Sequence, residues 1–99
     1  MGKTKIIFLD TFIENLAFIS FFIESKGLPQ TAILFKEKVY DFIQDLKFDK
    51  TEFARCRDPE RANSGLKCIP FNKKYTIVFY QMDDEVIIIE FVPSKMIHW

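Results

Sequence analysis

Glycine is scarce in this chain, with three in 99 residues, and none lies in a Gly-rich loop of the kind that cradles a phosphate. Histidine occurs once, at His98, and the two cysteines, Cys56 and Cys68, stand far apart, so no zinc-ligand set can be read from the spacing. No Ser-centred nucleophile motif is present, and no cofactor or metal is expected. The apolar stretch near the N-terminus follows Lys3 and Lys5 but is interrupted by Asp10, Glu14 and Asn15. No small-residue cleavage site follows it, which argues against both a membrane span and a secretory signal. A cytoplasmic protein with reduced cysteines as small, partly buried side chains is the expectation. Net charge is also absent, at zero, which excludes the broad positive field of a bulk nucleic-acid binder.

What is abundant is apolar surface. Hydrophobic residues make up 48% and phenylalanine alone appears twelve times, enough for one folded domain over residues 1–99 and too much for disorder. No repeat, linker or low-complexity tract divides it.

The chain reads as α+β in the order β-α-α-β-β-β. Lys5 to Leu9 fits a first strand, and Asp10 or Thr11 is placed to cap a helix. The helix carries Phe12, Leu16, Ile19 and Ile23 at helical spacing, with Ile13, Ala17, Phe18, Phe21 and Phe22 widening the stripe, and ends at Gly27. Pro29 suits the first turn of a second helix whose buried face is Phe35, Val39, Phe42, Ile43 and Leu46. The short connection makes the two helices antiparallel neighbours. From Asp49 to Gly65 periodicity is lost, although Asp58-Pro59-Glu60 reads as a turn or a single helical turn capped by Asp58. Leu66 to Ile69 fits a strand ended by Pro70.

The last third is the most informative part. Lys73 to Val92 is rich in β-branched and aromatic residues and broken by Asp83-Asp84, which marks a hairpin. A two-residue turn there pairs Tyr80 with Ile87, Val78 with Ile89 and Thr76 with Phe91, on one apolar face directed at a core. The other face carries Tyr75, Ile77, Phe79, Gln81, Val86, Ile88, Glu90 and Val92. Two apolar faces require a second cover, from the rest of the chain or from a partner.

Charge is segregated. Residues 1–52 hold seven lysines against eight acids, whereas 53–82 hold Arg55, Arg57, Arg61, Lys67, Lys73 and Lys74 against Asp58 and Glu60. The final segment returns to acid, with Lys95 against Asp83, Asp84, Glu85 and Glu90. The basic cluster is either one anionic contact surface or a solvated loop. Arg55 and Arg57 share a face, as a two-pronged phosphate clamp, if their segment is extended. Lys95 reads as a phosphate contact or an exposed terminal lysine. Glu90 reads as an edge charge guarding against aggregation, or as a base with apolar neighbours.

The order strand, helical hairpin, basic loop and three-stranded meander resembles the RelE/ParE family of bacterial type II toxin–antitoxin toxins. The likeness is concentrated in Lys74-Tyr75-Thr76-Ile77-Val78-Phe79-Tyr80 and Asp83-Asp84-Glu85-Val86-Ile87-Ile88-Ile89, which is similar to that family's central hairpin. The resemblance implies a growth-inhibiting toxin held by a wrapping antitoxin, with Tyr75, Ile77, Phe79 and Trp99 as partner-binding candidates. It also implies a metal-independent endoribonuclease that cleaves mRNA on the ribosome. Arg55, Arg57, Arg61, Lys73, Lys74 and Lys95 would then contact RNA phosphates, and His98, in a His98-Trp99 ending similar to the family's His-Tyr pair, would be the catalytic acid or base. Thr76 stands where many members place an arginine, and Pro93 where a histidine is common. Two alternatives stay open on that account: a ParE-like inhibitor of DNA gyrase without nuclease activity, and an inactive member that only binds its antitoxin.

Overall fold

The computed structural model describes residues 4–46, 48 and 53–96 and has an α+β architecture. Strand β1 (Lys5–Phe8) leads into α1 (Asp10–Ser25) and α2 (Pro29–Asp45), then a short α3 (Pro59–Asn63). Three strands follow, β2 (Lys67–Phe71), β3 (Tyr75–Gln81) and β4 (Glu85–Pro93), and a 3₁₀ turn at Ser94–Met96. The sheet order is β1-β4-β3-β2, with β1 parallel to β4 and the other pairs antiparallel.

The helices begin and end for local reasons. Gly27, at φ +83°, takes the left-handed conformation that closes α1, and Pro29 occupies the first turn of α2. The expected capping oxygen at the start of α1 is not used: Leu9 is the N-cap, without a side-chain bond, and Asp10 sits in the first turn, where its charge suits the helix dipole. Asp58 does cap α3, its carboxylate accepting the Arg61 backbone N–H at 3.3 Å. Strand β2 runs through Pro70 instead of ending at it, because β2 is the edge strand and the missing N–H costs no ladder bond.

The hairpin register departs from expectation at one residue. Tyr80 pairs with Ile87 as the two-residue turn requires, but the ladder shifts between Phe79 and Val78, which pair with Ile88 and Glu90. Ile89 is the extra residue of a β-bulge. Beyond it every β4 side chain changes face, so Thr76 opposes Val92 instead of Phe91. Phe91 thereby joins Val86 and Ile88, while Glu90 and Val92 turn to the opposite side.

The helical hairpin covers the face bearing Tyr75, Ile77 and Phe79, and there Phe12, Leu16, Val39 and Ile43 meet Ile77, Phe79, Val86, Ile88 and Phe91 in the main core. The second cover comes from the chain itself. Ile77 and Phe79 are fully buried within this core, so they are not offered to a partner as the sequence suggested, and only Tyr75 stays part-exposed. On the opposite face the segment from Cys56 to Leu66 closes over a smaller cluster of Cys56, Cys68 and Val78. The cysteines are not free thiols as expected but bonded to each other, with an S–S distance of 2.02 Å. The widened stripe on α1 is not core either: Phe18, Phe21 and Phe22 are more than half exposed.

Candidate functional site: a lysine-rimmed aromatic cavity

The turn from β2 to β3 places Asn72 and Lys73 at φ 55° and 64°, both left-handed. Asparagine tolerates this conformation, whereas a lysine bears a cost of about 1–2 kcal/mol where glycine is usual. The Ser94 N–H donates to the Lys74 carbonyl at 2.9 Å, and the Ser94 and Thr76 hydroxyls lie 2.9 Å apart. These contacts bring Lys95 to the same end of the sheet as Lys73 and Lys74.

A cavity of about 840 Å³ opens there, within the range of small-ligand clefts. Its walls are apolar: Phe18, Ile19 and Phe22 from α1, and Tyr75 and Phe91 from the sheet, whose rings stack with centroids 5.0 Å apart. Asn15 contributes as well, its side-chain oxygen accepting the Phe91 backbone N–H at 3.2 Å and tying α1 to the bulged strand. Lys73, Lys74 and Lys95 also line it, all three exposed, and among the described residues no carboxylate lines the cavity and none pairs with these lysines. The arrangement can hold an anion against the ammonium groups while an apolar or aromatic body rests on the rings.

The arginines do not share this site. Arg55 bridges to Lys67 beside the buried Cys56, and Arg55 and Arg57 are exposed on either side of it in the chain. Arg61 is spent within the fold. Its Nε donates to Glu90 at 2.9 Å, and its Nη1 donates to Asp58 at 3.0 Å. Glu90 thus serves neither as an edge guard nor as a base but as the anchor of α3 on β4. Burial acts to lower the Arg61 pKa, but hydrogen bonding and charge from Glu90, then from Asp58, outweigh it and hold the group above its ordinary value. A raised basic pKa gives stability that is fully present below the unfolded value and lost only as pH rises through the folded one, so the guanidinium keeps its charge and the clamp holds at neutrality. Arg61→Ala should cost about 1–2 kcal/mol in chemical denaturation, between an exposed and a buried ion pair. A loss indistinguishable from zero would show that the clamp does not anchor α3.

The basic cluster, read as one anionic contact surface or a solvated loop, is therefore divided: lysines at the cavity, arginines with the segment on the opposite face. His98 and Trp99 lie outside the described residues. Sequence reasoning passed over Asn15 and Phe91 as site residues. Asn15 carried a signal, as a polar residue in register with Phe12, Leu16 and Ile19, whereas Phe91 reaches the cavity only because of the bulge. No model of a known protein family matches the chain, and no curated protein matches it. Among the described residues no helix is long and apolar enough to cross a membrane.

Proposed function

We propose that the chain is a toxin of the RelE/ParE type, neutralised by a cognate antitoxin and acting by ribosome-dependent mRNA cleavage. The observation that carries this reading is the end of the β2–β3–β4 meander, where three unpaired lysines surround an aromatic-walled cavity. Single-stranded RNA presents the complementary surface, phosphates for ammonium groups and bases for rings. In the reaction the 2′-hydroxyl loses its proton and attacks the adjacent phosphorus, and the 5′-oxygen leaves and takes up a proton. Lys73, Lys74 and Lys95 offset the charge that builds on the pentacoordinate phosphorus. His98 is the proposed proton-transfer group.

Expression without the antitoxin should arrest growth and create new transcript 5′ ends in translating cells. Replacing Lys73, Lys74 and Lys95 by Gln should lower cleavage by on the order of a hundredfold or more, the scale of losing one charge-stabilising donor. Arrest with intact messages would refute the nuclease reading.

One observation favours gyrase as the target. Thr76, where many relatives of that type carry arginine, is fully buried and bonded to Ser94, so this position of the central strand supplies no cation. A supercoiling assay with purified protein tests it, and unimpaired gyrase at every ratio removes it.

A further inference from the structure

We infer that the lysine-rimmed cavity receives the acidic β3–β4 turn of a second copy of this chain. Strands β3 and β4 run between two ends of opposite charge. At the cavity end stand Lys73, Lys74 and Lys95. At the other, Asp83 and Asp84 form the exposed turn, closed by the Met82 N–H donating to the Glu85 carbonyl at 2.8 Å. Lys5, beside Glu85 in the β1–β4 register, and Lys67, whose Nζ donates to Gln81 at 3.3 Å, stand near the three carboxylates and leave the tip acidic by one charge.

The two ends also match in their apolar parts. The cavity leaves Phe18, Phe22 and Met96 at 65%, 56% and 70% exposure, more apolar surface than a small monomer usually gathers in one place. The tip is flanked by Tyr80 and Met82, each 39% exposed, and methionine adapts readily to aromatic walls. A convex acidic tip with an apolar flank is thus the counterpart of a concave basic end with apolar walls.

The pair inferred is the antiparallel one, in which each copy's tip meets the other's cavity; the contact is then made twice and no free end is left for a growing chain. The pairing covers the lysines, so it competes with any anionic guest of the cavity. It follows from the charge and shape of the two ends and does not require the toxin reading.

The test is the mass of the full-length chain by sedimentation equilibrium. At about 50 mM salt a two-chain mass is expected, shifting toward one chain at about 500 mM, where screening is severe. Two double variants, Asp83→Lys with Asp84→Lys and Lys73→Glu with Lys74→Glu, should each weaken association more than about tenfold. An equimolar mixture of the two should regain the two-chain mass, since one partner's reversed tip then meets the other's reversed cavity while the remaining contact is native. Asp83→Asn with Asp84→Asn keeps turn-forming residues and should also weaken the pair, which guards against misfolding of the charge-reversed turn. A single-chain mass for the unaltered protein, a pair indifferent to salt and to both reversals, or a mixture that stays monomeric would each overturn the inference.

Discussion

Phe91→Ala should lower folding stability by about 3–5 kcal/mol, a large part of the roughly 5–15 kcal/mol that holds a domain together. Phe91 is fully buried, and its ring meets Phe12, Phe35, Phe71 and Tyr75, so truncation opens a void where both helices meet the sheet. The surrounding aromatic rings are stiff and collapse into such a void only partly, which places the cost toward the upper end of the range. Urea denaturation should show an earlier midpoint with little change in slope. Ile89→Ala, at the bulge and only half-buried, should cost about 1 kcal/mol. If the two variants lose equal stability, the bulge does not carry Phe91 into the core and the assigned register is wrong.

Reduction of the Cys56–Cys68 bond should cost about 3 kcal/mol, because the closed loop, with a sequence separation of 12, regains its freedom in the unfolded chain. Both cysteines are nearly fully buried, so reduction should be slow in the native protein and fast once denaturant is added. The bond joins the segment around Arg55 and Arg57 to β2, next to the Cys56 N–H that donates to the Leu66 carbonyl at 3.1 Å. Losing it should loosen that segment before the helices, visible as amide exchange at Cys56 and Cys68 while α1 and α2 stay protected. Thiol titration gives a direct check: no free thiol is expected in the folded, oxidised protein, and one reactive thiol per cysteine without any loss of stability on reduction would sink the prediction.

Much of the fold was legible. The helical hairpin followed from apolar spacing, Gly27 and Pro29; the β3–β4 turn followed from Asp83-Asp84; Asp58 was recognisable as a cap. These are local signals, readable within one or two turns of chain. Which face of the hairpin meets the main core was not legible, because β3 is apolar on both faces, and the switch of Phe91 to that face was not legible, because nothing in the sequence marks the residue that a bulge inserts. In a run as uniformly apolar as Val86 to Ile89, either register satisfies the pattern. The candidate site was half legible for the same reason. Lys73, Lys74, Lys95 and Tyr75 were identifiable by type and do converge, but the arginines adjacent to them in charge pattern belong to a segment that folds over the other face.

Sequence alone determined the elements, their order and the segregation of charge along the chain, since backbone propensity, capping and turn chemistry act over a few residues. Tertiary structure decided which sheet face is core, whether the cysteines join, that Arg61 is consumed by Asp58 and Glu90, and that three lysines surround a common cavity. Each of those outcomes depends on contacts between residues distant in the chain, whose energy is set by burial and geometry once the helices have docked on the sheet.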